Sequence, residues 1–239
     1  MRVLTVVHQR DAGPGVFAEA ADALGHELVE WLPSESPPPG PDAFGAAMVF
    51  GGAMDVDEED EHPWLSGEKH FLRGLLDRRM PVLGVCLGAE LLAEAAGAEP
   101  GRASQPEIGW HEIELTPEAS EDRLLGWLPE RLEGFQWHSY EAPLPPGAVP
   151  LAESRVCLQA FRLPDGGGWG LQFHAEVTRQ SLERWLADYR RDLDAVRIGL
   201  DPDSLRAETA RKIDAWNELG RGLCARFLET AQHCAVTLG

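Results

Sequence analysis

The segment Pro81-Val82-Leu83-Gly84-Val85-Cys86-Leu87-Gly88-Ala89-Glu90-Leu91-Leu92 fixes the kind of fold to expect. Val82 to Val85 is a short apolar run, as a strand buried on both faces requires. Leu87 to Ala96 is rich in Leu and Ala, strong helix formers, and Gly97 is placed to end that helix. A buried strand turning directly into a helix, with a glycine on either side of one cysteine, is the pattern of a nucleophile elbow with Cys86 in place of serine. Small neighbours let the turn tighten, and the helix N-terminus favours thiolate over thiol. A lone cysteine in an apolar run is more commonly a packing residue. Gly84 and Gly88 at this junction favour the nucleophile instead.

The same alternation extends towards the N-terminus. Val3 to Val7 reads as a first buried strand, and Phe17, Ala20, Ala21 and Leu24 fall at helical spacing between Pro14 and Gly25. Strands follow at Glu27 to Trp31 and at Ala46 to Phe50, the second running straight into Gly51-Gly52. The acidic stretch Asp55 to Glu61 reads as an exposed loop. Trp64, Phe71, Leu72, Leu75 and Leu76 form a helical stripe before Pro81. Such alternation calls for an α/β fold of three layers, flavodoxin-like, around a mostly parallel sheet. From Ile108 the texture changes: Ile108 to Leu115, Val149 to Glu153, Val156 to Leu163 and Trp169 to Phe173 read as strands of a small antiparallel extension. Helical stripes return at Leu182, Trp185, Leu186 and Tyr189, and again at Leu205, Ile213, Trp216, Leu223 and Phe227, with a break at Gly199 to Asp203. The expected organisation is one domain over 1–191 and a helical extension over 192–239 packed on it.

Two more stretches carry chemistry. Gly170-Leu171-Gln172-Phe173-His174-Ala175-Glu176 is an apolar strand ending in His-x-Glu. Residues two apart in extended chain project to one side, so Glu176 can hold the imidazole of His174 as an oriented general base. A satisfied polar pair without chemistry has the same sequence. After the third strand, the Gly51-Gly52 backbone can approach a developing oxyanion unobstructed, and the amides of Gly52 and Leu87 together make a candidate oxyanion hole. A glycine pair by itself means only a turn.

Composition narrows the function classes. The chain has 239 residues, with 40 Asp and Glu against 21 Lys and Arg, a formal charge of -19. That charge repels phosphate backbones and anionic membrane surfaces, so neither nucleic acid nor a membrane is an expected partner. The pairs Arg78-Arg79 and Arg190-Arg191 read as solvated helix faces. No apolar run approaches the ~18–20 residues of a membrane span. Four cysteines without C-x-x-C spacing point to free thiols in a reducing compartment, the cytoplasm. Cys157, Cys224 and Cys234 are expected to be small packing residues. The eight histidines show no paired metal-ligand spacing, so no metal and no cofactor are expected.

Gly-Gly after one strand, Gly-x-Cys-x-Gly after the next, and a late Phe-His-x-Glu-Val together resemble the class I (triad) glutamine amidotransferases, particularly stand-alone homologues of the GMP synthase amidotransferase domain. The resemblance covers Val3 to about Tyr189. It implies Cys86 as nucleophile, His174 as base, Glu176 as its partner, and Gly52 and Leu87 as the oxyanion hole. Ile108-Gly109-Trp110-His111 is similar to the segment following the nucleophile helix, and Trp137-His138-Ser139-Tyr140-Glu141 to the segment holding the substrate's amino-acid end. That makes Glu90, Ser139 and Tyr140 candidate substrate-binding residues. His138 and Ser139 also suit a plain turn between strands. Where many relatives have Gln four residues after the nucleophile, this chain has Glu90, and where they often have Pro between His and Glu it has Ala175. An ionised Glu90 can only accept hydrogen bonds.

The implied reaction is acyl transfer through a cysteine thioester: a small-molecule γ-glutamyl amide, glutamine first among them, is cleaved to glutamate and amine. No P-loop is present to bind ATP. Two enzyme readings follow, an amidotransferase subunit feeding ammonia to a separate synthetase chain, and a free-standing γ-glutamyl hydrolase or peptidase with a pocket lined by the loop from Ala53 to Pro63. An α/β-hydrolase with a cysteine nucleophile is disfavoured because Glu176 follows His174 by only two positions. A non-catalytic regulatory or binding subunit of the same fold is the reading from another class.

Overall fold

The computed structural model describes residues 1–164 and 167–237, the side chains of 235–237 excepted. Among the described residues the strands form one nine-stranded sheet in the order β2-β1-β3-β4-β9-β8-β7-β5-β6. The strands are β1 (Arg2–Val6), β2 (Glu27–Trp31), β3 (Ala46–Val49), β4 (Val82–Val85), β5 (Gly101–Leu115), β6 (Arg131–Glu141), β7 (Val149–Glu153), β8 (Leu158–Arg162) and β9 (Gly168–Leu171). The helices are α1 (Val16–Ala23), α2 (Trp64–Asp77), α3 (Leu87–Ala95), α4 (Arg179–Asp188), α5 (Leu193–Arg197) and α6 (Pro202–Thr237).

Strands β2, β1, β3, β4 and β9 run parallel. Their apolar residues alternate between two cores, as a period of two demands of a sheet covered on both faces. Val3, Met48, Leu83 and Val85 enter one core with Phe17 and Phe227, while Leu4, Ala47, Val49 and Val82 enter the other with Leu72 and Leu91. Helices α1 and α6 therefore cover one face, and α2 and α3 the other. This is the three-layer arrangement the sequence implies.

The antiparallel extension has four strands, as many as the sequence suggests, but not the same four: the strand expected at Trp169 to Phe173 is β9, which pairs in parallel with β4, and β8, β7, β5 and β6 lie beyond it. The unforeseen strand is β6. Gly134 interrupts its apolar run, and its polar Gln136 and His138 point inwards, which hides the alternation a half-buried strand normally shows. β5 and β6 pair from Gly101↔Glu141 to Glu114↔Arg131, with an irregularity between Arg102 and Glu107. This ribbon folds back over the parallel half, where the His174 amide donates to the Phe135 carbonyl at 2.9 Å.

Parallel neighbours in register deliver their carboxyl ends side by side, the usual ligand edge of such sheets. Val49 is opposite Gly84 and Val85 is opposite Leu171. The segments leaving β3, β4 and β9 carry Gly51-Gly52, Cys86 and His174. Helix α6, ~54 Å long at 1.5 Å per residue, packs against α1 and α4 and runs beneath the turn that follows β9.

Candidate active site

Cys86 sits between β4 and α3 with φ 54° and ψ -118°, a conformation that strains any residue with a Cβ. The turn is held by its neighbours. A Cβ on Gly84 would lie 2.4 Å from the Gly88 carbonyl oxygen, and one on Gly88 would lie 2.0 Å from that of Val49. Any side chain at either position would push β4, α3 and β3 apart. Cys86 N–H donates to the Leu171 carbonyl at 2.8 Å, tying the elbow to β9. Its thiol is turned towards the Trp137 carbonyl at 3.8 Å.

His174 Nδ1 is 2.7 Å from Glu176 Oε1, and both side chains are buried. With Nδ1 committed to a carboxylate, Nδ1 carries a proton and Nε2 is the ring atom left for other work. Nε2 is buried and makes no hydrogen bond in the resting structure. The position a Cβ on Gly51 would occupy lies 3.2 Å from His174 Cε1 and 3.9 Å from Cys86 Sγ, so ring and thiol share one small space. Trp185 packs edge-on to the imidazole with ring centroids 5.0 Å apart.

The electrostatics follow from burial and pairing. Burial pushes the Cys86 thiol up, opposed chiefly by the charge of the neighbouring His174. Burial alone would lower His174, but Glu176, and then Cys86, lift it well above the ordinary histidine value. Glu90, one helical turn beyond Cys86, is 3% exposed and pushed up to about 7, chiefly by burial. Gln172 explains which way it is bonded: its Oε1 accepts from Ala142 N–H at 3.1 Å, so its amide nitrogen faces Glu90 Oε1 at 3.0 Å.

Gly52 and Leu87 adjoin this centre, while Ser139 and Tyr140 follow Trp137, whose carbonyl faces the Cys86 thiol. Gly52 follows Gly51, where an added Cβ would lie 3.2 Å from His174 Cε1 and 3.5 Å from Cys86 Cβ, and Leu87 opens α3, its amide directed at the Cys86 sulfur. Tyr140 sits with Asp55, Asp57 and Arg102, and burial pushes Asp55 up to about 6. Ser139 donates to Asp194, which also takes Arg102.

Two expectations need correction. His138 belongs to no exposed turn: its side chain is 1% exposed and Nε2 lies 3.3 Å from Glu107 Oε2, because β6 pairs with β5 there. Cys157 is not packed among apolar groups; its thiol faces Glu107 at 3.7 Å, and both burial and that carboxylate push it up. Glu107, His138 and Cys157 are, among the described residues, the group whose donor atoms cluster as metal ligands do, within 4.8 Å of one another. The Gln159 amide occupies that cluster, donating to Glu107 at 2.9 Å and contacting the Cys157 sulfur at 3.4 Å. It is separate from Cys86, His174 and Glu176.

Sequence inspection misses the supports behind the site. Trp216 Nε1 donates to the His174 carbonyl at 2.8 Å, and Asn217 donates to the Val177 carbonyl at 2.7 Å. His8 and Glu68 form a buried pair beneath Gly51. Each joins residues far apart in the chain, so no local spacing marks them.

This elbow, the His-Glu pair and the glycine turn, presented at the carboxyl edge of a parallel sheet, define a triad-type amidotransferase fold. Residues 29–188 match the family Glutamine amidotransferase class-I, and the chain belongs to that family. It is 29% identical over 199 residues to the glutamine amidotransferase-like protein YfeJ of Salmonella typhimurium, covering 81% of this chain and 83% of that one. It is 29% identical over 164 residues to a glutamine-hydrolyzing GMP synthase subunit of Ignicoccus hospitalis, covering 68% and 82%. The crystal structure of a glutamine amidotransferase from Thermotoga maritima superposes with a TM-score of 0.85 at 27% identity, covering 96% of this chain and 98% of that one. No helix among the described residues is long and apolar enough to cross a membrane.

Proposed function

We propose that this protein hydrolyses a γ-glutamyl amide, glutamine being the first substrate to test, through a thioester on Cys86. The observation carrying this reading is the unpartnered Nε2 of His174 beside the strained Cys86 thiol, with Nδ1 held by Glu176 at 2.7 Å. His174 Nε2 takes the thiol proton while Cys86 Sγ attacks the γ-carbonyl carbon. The amides of Gly52 and Leu87 receive the oxyanion. As the C–N bond breaks, His174 returns the proton to the departing amine, leaving the γ-glutamyl thioester. Water then attacks with His174 again as base, the thiol is re-formed and glutamate leaves. Glu176 keeps the imidazole in one tautomer and stabilises its charged form.

Glu90, Ser139 and Tyr140 line the remainder of the substrate site in this reading. Likeness to the glutamine-hydrolyzing GMP synthase subunit of Ignicoccus hospitalis supports a separate synthetase chain as the ammonia acceptor; the cytoplasm is proposed as the compartment from the unpaired cysteines alone. Glu90 supports the second reading, a free-standing hydrolase of larger γ-glutamyl amides. A glutamine at this position, bonded to Gln172 through its oxygen, would present an N–H donor to the substrate at every pH, whereas Glu90 presents an oxygen that donates only while the carboxyl keeps its proton. The test is to follow glutamate and amine released from glutamine and from a panel of γ-glutamyl amides, with Cys86→Ala as control. Cys86-dependent ammonia from glutamine supports the amidotransferase, turnover confined to the larger amides supports the hydrolase, and no turnover with or without a synthetase overturns both.

A further inference from the structure

The oxyanion-hole assignment leaves one question: what keeps the Gly51-Gly52 peptide facing the right way, when glycine backbone flips easily? The answer lies on the opposite side of that peptide. His8, just past the end of β1, has its side chain fully buried, and its Nδ1 lies 3.2 Å from the Gly51 carbonyl oxygen. Its Nε2 lies 3.0 Å from both carboxylate oxygens of Glu68 on α2. Both ring nitrogens therefore face acceptors, an arrangement that satisfies an imidazolium with two N–H donors and leaves a neutral ring one donor short. Burial opposes that charge, and Glu68 together with the Gly51 and Phe50 carbonyls more than offsets it. Trp64, one turn before Glu68, stacks on the ring with centroids 5.5 Å apart and planes 22° apart, a face suited to a cation.

The peptide between Gly51 and Gly52 is trans, so its N–H points opposite to its C=O. We infer that His8, fixed by Glu68, is a positioning residue that anchors the Gly51 carbonyl and thereby presents the Gly52 amide to the oxyanion. The anchor also polarises that peptide, drawing electron density towards the carbonyl oxygen and making the amide a stronger donor. Two contacts reinforce the arrangement. Gln9 Oε1 accepts from Ala53 N–H at 3.0 Å, so consecutive residues after β1 grip the far end of the same turn. A Cβ on Gly52 would lie 3.0 Å from His8 Cβ, so the turn is seated directly against the anchoring residue. The inference rests on the proposed hydrolysis for its catalytic half and on geometry alone for its structural half, and the test separates them.

Removing His8 alone would strand Glu68 as a buried charge and unfold the region, so the variants are paired. His8→Leu/Glu68→Leu removes both donor and charge, and His8→Asn/Glu68→Gln keeps an amide donor near the Nδ1 position without the charge. The structural readout needs no turnover: the 15N-resolved Gly52 amide should shift and exchange faster in the leucine pair, and stay close to wild type in the Asn/Gln pair. The kinetic readout is kcat on the substrate that wild type turns over. It should fall at least ~tenfold in the leucine pair, towards the ~10²–10³-fold cost of losing an oxyanion donor. KM and the rate of Cys86 alkylation by iodoacetamide should hold within ~threefold, because nucleophile and pocket are untouched. The Asn/Gln pair should recover most of kcat. An unmoved Gly52 amide, or equal loss of kcat in both pairs, overturns the anchor. A moved amide with unchanged kcat overturns its catalytic half, and absence of turnover in wild type with a moved amide overturns the proposed hydrolysis while the anchor stands.

Discussion

Gly220 on α6 is the most exacting test of how the base is held. A Cβ there would lie 2.1 Å from the Ala175 carbonyl oxygen and 3.0 Å from Val16 Cγ2. Real Cβ atoms essentially never come within 3.0 Å of such atoms, so Gly220→Ala must drive α6 and the 174–177 backbone apart by about 1 Å. Overpacking of this kind costs ~1–3 kcal/mol, and the better helix propensity of alanine returns ~1 kcal/mol. The net loss is therefore at most ~2 kcal/mol, or ~4–8 °C in Tm at this chain length. The catalytic effect should be larger. The displaced backbone carries His174, whose bond to Glu176 is 2.7 Å long and whose carbonyl takes Trp216 Nε1. A 1 Å misplacement of a catalytic group costs ~10²-fold in rate. The assay pairs chemical denaturation with the pH profile of Cys86 alkylation, which reports the imidazole beside the thiol without requiring the substrate to be known. A variant at least as stable as wild type, with an unchanged alkylation profile, would refute the idea that α6 presses the His174 segment into place.

Three further outcomes follow from the same geometry. Cys86→Gly should be more stable than Cys86→Ala by ~1–2 kcal/mol in urea denaturation, because only glycine accepts φ 54°, ψ -118° without strain; equal stabilities would show a relaxed elbow. Glu176→Gln should lower kcat by ~10²-fold or more and move the alkylation profile of Cys86, since burial then acts on His174 without its main opposing charge; an unmoved profile would sever the pair from the thiol. Glu90 has its pKa raised from 4.5 to about 7, so the folded state keeps a proton that the unfolded chain releases, and its stabilising contribution is complete below pH 4.5 and drains away as pH rises through 7. Glu90→Gln should thus gain on wild type between pH 5 and pH 8, with a ceiling of about 3 kcal/mol, and a pH-independent difference between the two proteins would contradict a buried, proton-retaining Glu90.

What could be seen in the sequence depended on whether the signal was local. The strand-to-helix turn at Cys86 is written in five consecutive residues, and the His-x-Glu pair in three, so both were visible without a structure. Strand β4, buried throughout, announced itself as an apolar run, and β2 and β7, only partly buried, fall at the expected residues too. β6 did not, because Gln136 and His138 are buried polar residues whose partners, Gln159 and Glu107, come from other strands. The same cause made His138 look like a turn residue and Cys157 an apolar one. Polar groups can enter a core only with partners, and partners brought by tertiary pairing leave no spacing to read.

The supports of the site belong to that hidden class, and this shapes how it should fail under mutation. Cys86, His174 and the Gly51-Gly52 turn leave three adjacent parallel strands, so the sheet alone fixes their separation to within one strand spacing of ~4.8 Å. Chemistry needs closer tolerances than that. These are supplied from both faces: Trp216 and Gly220 of α6 hold the His174 segment from one side, while Glu68 of α2 holds His8 and the glycine turn from the other. The two helices enter different cores. Damage to either should therefore spoil the base and the oxyanion hole independently, so a variant combining Gly220→Ala with the His8/Glu68 leucine pair should lose the product of the two single rate effects. A combined loss no greater than the larger single one would mean that α6 and His8 act on one and the same element.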